Sequence, residues 1–326
     1  MADEFLRLGP DEQREVITAA ASQMNLLPAV AEKDVWVCFV LNVLFSIPDR
    51  RPMVFKGGTS LSKVFGLIKR FSEDIDISID FLKDYGEPIS KTKATNIRAE
   101  IEASLQSYKR TVLFPALQNE AAPFNLTVEP GDTDFEIHVN YRSVLASGVE
   151  YIKTRVKVEL SGRNETEPSQ RHTIRPYLIE QTDDLIFPEA TIDALLAERT
   201  FWEKVTLIHA GINSGSIENS AARMSRHWSD VAVLMKAETG KRAIENEELC
   251  LKVVNHKDAF WRDGKARYDD CRNKKFKLVP AGKALEVLQA DYESMLSAGM
   301  FFDEQPATFE EIMENIARLE NRLNTQ

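Results

Sequence analysis

Two carboxylates one residue apart, Asp74 and Asp76, lie in the run Arg70-Phe-Ser-Glu-Asp74-Ile-Asp76-Ile-Ser-Ile. Side chains alternate along a strand, so both aspartates point to one face while Ile75, Ile77 and Ile79 point into a core. Two carboxylates a pleat apart offer the hard oxygen donors that hold a divalent cation such as Mg²⁺. Upstream stands Lys56-Gly57-Gly58-Thr59-Ser60. Paired glycines let a backbone approach a phosphate closely, and N–H groups opening a helix attract anions. Together these are the two halves of a metal-dependent nucleoside-triphosphate site. No G-x-x-x-x-G-K-[ST] string surrounds Gly57, which excludes a Walker A loop. Thr59 is equally placed to cap the following helix. Arg70 and Ser72 precede the acidic strand, placed either to meet phosphate or to shape the turn.

Four further stretches carry candidate chemistry. In Val156-Lys-Val-Glu159-Leu160, parity puts Lys153, Arg155, Lys157 and Glu159 on one face. Glu159 is there either a third acid or half of a cross-strand ion pair. In Glu198-Arg-Thr200-Phe-Trp-Glu203-Lys204 the T-x-x-E spacing predicts a capping box. That box would put Lys204 in a first turn, where a cation opposes the helix dipole and so calls for another explanation. Arg223, Arg226 and Asp230 recur at helical spacing, and Asp230 is expected to pair with Lys204 or Arg226. From 262 to 277 seven basic residues face three acids among aromatics, either a surface for nucleic acid or a solvated loop. His138, His209 and His227 show no mutual spacing of a zinc site or triad, and no metal is assigned to them.

The elements that must position these residues follow from periodicity. Pro10 opens one helix, and a second is predicted over 27–45, ended by Ile47-Pro48-Asp49-Arg50-Arg51-Pro52. Met53–Phe55 is strand-like, 61–69 helical, and 91–110 a polar helix. Strands are predicted over 124–129, 135–141, 151–160 and 172–179. From 198 onward the pattern is helical, with segments at 200–210, 220–238, 246–256, 283–297 and 308–323. Thr308-Phe-Glu-Glu311 has capping-box form.

The 326 residues carry a net charge of −10, which works against whole-molecule attraction to nucleic acid and requires any such binding to be local. No apolar run reaches membrane-spanning length, and the acidic start lacks a secretory layout. Cys38, Cys250 and Cys271 are scattered, without C-x-x-C spacing, as in a reducing cytoplasm. Cys38 lies on an apolar helix and is expected in the core.

The string KGGTSLSKVFGLIKRFSEDIDISI, with ERTFWEK and RHWSD downstream, resembles the AbiEii-type toxins (MenT-like) of the DNA polymerase β-like nucleotidyltransferase superfamily, over nearly the full length. The resemblance implies an α+β fold, a polymerase β-like core with a mixed sheet plus a helical C-terminal region. The domains expected are 1–50, a helical lead-in; 51–198, the nucleotidyltransferase core; and 199–326, a helical domain contributing Lys204 and Asp230 to the site. It also implies transfer of a nucleoside monophosphate from an NTP with Mg²⁺ on Asp74 and Asp76. The third acid is then Glu159, and Lys204 contacts the triphosphate with Asp230 implicated in activity. Lys56, Gly57, Gly58, Thr59, Ser60, Arg70, Ser72 and Arg226 are the expected nucleotide contacts. The implied acceptor is the 3′ end of tRNA, met by Arg262, Arg267, Arg272, Lys274 and Lys275. The implied setting is a toxin–antitoxin or phage-defence system, with an antitoxin partner of winged-helix type. A protein or small-molecule acceptor, and a non-catalytic NTP-binding protein, are the competing readings.

Overall fold

The computed structural model describes residues 3–86, 89–145, 152–182, 185–219, 222–261, 263–303 and 305–325. The chain divides into two compact units. One comprises 1–64, 71–84 and 99–195; the other comprises 65–70, 85–98 and 196–326.

The first unit is built on a seven-stranded mixed sheet. Its order is Thr127–Pro130, Glu136–Asn140, Arg155–Ser161, Asp74–Ile79, Met53–Lys56, Ala190–Leu195 and Ser169–Ile174. Asp74–Ile79 is central, antiparallel to Met53–Lys56 and parallel to Arg155–Ser161. Alternation holds where it matters: Ile75, Ile77 and Ile79 are buried while Asp74 and Asp76 are half-buried on the other face. Val156, Val158 and Leu160 are likewise buried, with Lys157 and Glu159 on the opposite face.

The helix Pro28–Ser46 lies against Ala190–Leu195 and Arg155–Ser161. Its apolar residues, Cys38 among them, are buried as expected, but so are three consecutive charges, Glu32, Lys33 and Asp34. Each is satisfied, as buried charges must be. Glu32 accepts from Ser143 Oγ at 2.7 Å and from the Val144 N–H at 2.8 Å. Lys33 pairs with Glu73 and donates to the Lys153 carbonyl. Asp34 holds Lys63 at 2.6 Å and accepts from the Tyr177 N–H.

The expected helix 61–69 is instead Gly57–Lys63; Gly66, at φ +60°, lies where the expected helix would have continued. The helix Phe114–Ala121 was not predicted, nor was the strand Ala190–Leu195, although Ala190, Ile192 and Ala194 alternate with Thr191 and Asp193. The predicted strand 172–179 stops at Ile174, where Arg175-Pro176 leads into a short 3₁₀ turn. Tyr151, the expected start of the 151–160 strand, and Ser220, the expected start of a helix, lie outside the described residues.

The second unit is helical, with Ala197–Ser214, Ser225–Leu234, Glu238–Glu245, Glu247–Phe260, Lys283–Ser297 and Phe309–Thr325 as its main elements. Trp202 and Trp228 anchor the core, and each buried indole N–H donates to a backbone carbonyl, those of Ala243 and Leu278. The expected capping box is present at the last helix. The Thr308 N–H donates to Glu311 at 2.9 Å, and the Glu311 N–H donates to Thr308 Oγ1 at 3.2 Å.

Candidate active site

In the first unit the sheet brings three carboxylates onto one face. Asp76 is in register with Glu159 on one neighbouring strand and with Lys56 on the other, and Asp74 is in register with Lys157. Acids directly opposite one another repel unless a cation lies between them. Lys157 on the same face supplies a positive charge: its ammonium pairs with Glu159 and stands 3.5 Å from Asp74 Oδ1. Burial works against the charged lysine, but the Glu159 hydrogen bond and the Asp74 charge outweigh it and hold the pKa above its ordinary value. Glu159 is thus placed with the aspartates, and its ion pair is with a residue of its own strand, not a neighbouring one. Asp74, Asp76 and Glu159, on one face of neighbouring strands, offer the oxygen donors that suit a hard divalent cation. Lys157 was missed as a site residue, although its parity with Glu159 was the signal that could have found it.

The glycines meet these acids directly. A Cβ on Gly57 would fall 2.0 Å from Asp76 Oδ2 and 2.9 Å from its Cγ, so only glycine fits at that positive φ beside that carboxylate. Thr59 is not an N-cap; Lys56 holds that position without a side-chain cap. The buried Thr59 hydroxyl instead donates to the Asp74 carbonyl at 2.6 Å and lies 2.9 Å from Ser72 Oγ, which fastens the helix to the start of the acidic strand. Ser60 is buried, and its hydroxyl has no hydrogen-bond partner among the described residues. Lys56, Gly57 and Gly58 are half-buried. The buried charges of Pro28–Ser46 clamp both flanks of this segment. Asp34 takes Lys63 at the end of the short helix, and Lys33 takes Glu73 immediately before Asp74. A run of charges inside an otherwise apolar helix was the unused sequence signal for these positioning residues.

In the second unit a buried ionic cluster forms around Asp230. Arg70 grips it as a fork, Nε to Oδ1 and Nη2 to Oδ2, both at 2.7 Å. Lys204 Nζ reaches Oδ2 at 2.9 Å and lies 3.4 Å from His227 Nδ1. Burial alone would raise the Asp230 pKa, but Arg70 and Lys204 reverse this and keep it far below the usual carboxylate range. Lys204 is shifted down, first by burial; Asp230 opposes this, while Arg70 has already claimed the carboxylate and repels the ammonium. Burial, with Lys204 and Arg226 beside it, pushes His227 well below its ordinary value, so the ring is neutral.

Several expectations fail here for identifiable reasons. The helix starts at Ala197, three residues before Thr200, so Thr200 and Glu203 form no capping box and Lys204 lies beyond the first turn. Glu203 faces Arg199 one turn earlier, at 3.5 Å. The expectation of an Asp230–Lys204 pair holds, and Arg70, not foreseen as its partner, also grips Asp230. Arg223 has φ +63° and precedes the helix Ser225–Leu234, so it does not share that helix face. Arg226 is half-buried. In the basic stretch Arg262 lies outside the described residues. Arg267 pairs with Asp270, Arg272 with Asp258 and Asp269, and Lys274 with Glu247. Lys275 is exposed.

A central strand carrying D-x-D, a glycine pair packed on the second aspartate and a third acid in register define a nucleotidyltransferase. A family model described as the nucleotidyl transferase AbiEii toxin of type IV toxin–antitoxin systems matches residues 41–315, and the chain belongs to that family. No curated protein matches the sequence significantly. Among solved structures, the chain is similar in fold to MenT4, a nucleotidyltransferase toxin from Mycobacterium tuberculosis. The TM-score is 0.53 at 16% identity, over 95% of this chain and 90% of that one. This enzyme is therefore a toxin nucleotidyltransferase, of a family that implies an NTP substrate, a divalent metal and a cognate antitoxin. No described helix is long and apolar enough to cross a membrane.

Proposed function

We propose that this toxin transfers a nucleoside monophosphate from an NTP to the 3′ end of tRNA, in a Mg²⁺-dependent reaction that blocks translation in the cytoplasm as part of phage defence. The observation that carries the metal-dependent half is that Asp74, Asp76 and Glu159 share one face of neighbouring strands, with Asp76 directly opposite Glu159. These carboxylates would hold Mg²⁺, which supplies charge neutralisation of the triphosphate and lowers the pKa of the attacking hydroxyl. Gly57 and Gly58 let the backbone approach the phosphates, while Thr59 and Ser72 hold the acidic strand in place. Lys204 serves use of the triphosphate; its support is that Lys204 shares the single Asp230 carboxylate with Arg70, so the pair is not wholly neutralised by that acid.

A protein or small-molecule acceptor is the second reading. It is favoured by the net charge of −10 and by the carboxylates that neutralise Arg267, Arg272 and Lys274. Incubation with each labelled NTP, Mg²⁺ and total tRNA, resolved on a denaturing gel, decides between them. Label on tRNA that is lost in Asp76→Ala supports the proposal. Label confined to protein or to small molecules overturns the tRNA acceptor.

A further inference from the structure

We propose that Asp132, Glu136 and His138 form a second cation site on the same sheet, which takes a borderline divalent ion such as Zn²⁺. Their ligand atoms all lie within 4.8 Å of one another. His138 is 4% exposed, and its Nε2 has no hydrogen-bond partner among the described residues and stands 3.7 Å from Glu136 Oε2. A buried ring nitrogen left without a partner is costly and uncommon, and a metal is one of the few ligands that would satisfy it here. Glu136 is pre-set, since its Oε2 accepts from the Asp132 N–H at 3.0 Å. Asp132 is exposed, so an ion reaches the group from solvent. One imidazole with two carboxylates is a mixed nitrogen–oxygen set, which suits Zn²⁺ or Mn²⁺ better than the all-oxygen preference of Mg²⁺.

The site lies on the face that carries the nucleotidyl acids. Glu136 is in register with Glu159, and His138 with Lys157, so the site sits two strands from Asp74, roughly 10 Å away. Sequence reasoning missed it by seeking histidines spaced against one another, whereas this histidine meets one carboxylate two residues earlier on its own strand and another in the preceding turn.

Arg155 fills the cation's part when no metal is bound. Its Nη1 is 3.2 Å from His138 Nδ1 and its Nη2 is 3.5 Å from Asp132 Oδ2. A guanidinium only donates, so Nδ1 accepts and the ring proton is on Nε2. Ligation through Nε2 moves that proton to Nδ1, which can then no longer accept from Arg155. The metal and Arg155 therefore exclude each other, and binding releases a cation on the strand that carries Lys157 and Glu159.

The test is Zn²⁺ calorimetry on chelator-stripped full-length protein carrying Asp74→Asn and Asp76→Asn. Removing the nucleotidyl aspartates makes the result independent of the proposed reaction, so either reading can fail alone. Added His138→Gln or Asp132→Asn is expected to weaken Zn²⁺ by at least about tenfold, and Arg155→Gln to tighten it. Asp132 is exposed, so its variant folds even if the His138 variant does not. Unchanged affinity in Asp132→Asn overturns the site, as does Mg²⁺ displacing Zn²⁺ at equal concentration.

Discussion

Replacing Gly57 by alanine tests the link between the glycine turn and the acidic strand. Two costs are separable. Alanine in the left-handed region, at φ +80°, costs about 1–2 kcal/mol. The second cost is a collision, because the new Cβ would lie 2.0 Å from Asp76 Oδ2, 2.9 Å from Cγ and 3.3 Å from Cβ. Ordinary carbon–oxygen contact begins near 3.3 Å, so the carboxylate must retreat by roughly 1 Å or rotate away. A misplacement of that size in a catalytic group costs about 10²-fold in rate, roughly 2.7 kcal/mol of barrier. Gly215 supplies the control. Its φ is +71° at the end of Ala197–Ser214, and a Cβ there meets nothing within 4 Å. Gly57→Ala is expected to lose at least about 100-fold in single-turnover rate with labelled NTP. Gly215→Ala should lose comparable thermal stability and keep its rate. A Gly57→Ala enzyme within threefold of wild type would refute the reasoning, because Asp76 would then tolerate displacement. Equal rate losses in both variants would trace the defect to general destabilisation.

Lys204→Met should impair NTP use yet leave Tm unchanged or raised, since the fold holds the ammonium below its ordinary pKa and so disfavours the charge; a fall in Tm with unchanged kcat/KM would make Lys204 structural. Asp230→Ala strips Arg70 and Lys204 of their shared partner and is expected to cost about 3–5 kcal/mol in denaturant unfolding, so a loss near zero would contradict the buried cluster. Asp34→Ala strands buried Lys63 and should cost a similar amount, with the site's cation affinity falling because one flank of the acidic segment is released. His227 is neutral when folded and its pKa is lowered, so below about pH 6.5 the unfolded state binds the extra proton and stability falls with acidity. His227→Gln should remove up to about 1.4 kcal/mol per pH unit from that slope, and superimposable stability curves for variant and wild type would exclude the assignment.

The chemistry was legible wherever a local rule fixes orientation. Period-two alternation alone puts Asp74 and Asp76 opposite Ile75 and Ile77, and the same parity puts Lys157 beside Glu159. What stayed hidden depends on which strands are neighbours. That Asp76 faces Glu159 follows from a parallel pairing across about 80 residues, and no local pattern encodes it. Capping-box spacing misled for a related reason. Thr200 and Glu203 match the pattern, but the helix is extended upstream to Ala197, and buried Arg199 and Thr200 belong to its packed interior. Charges in the apolar helix Pro28–Ser46 were the most informative signal left unread. Glu32, Lys33 and Asp34 violate the core pattern together, and burial of three consecutive ionisable groups is tolerated only where partners are waiting for each. Two of those partners, Lys63 and Glu73, bracket the segment from the glycine turn to Asp74. The residues that break the sequence rule are therefore the ones that hold the acidic strand and the short helix in place, as expected when local consistency is given up at a functional site.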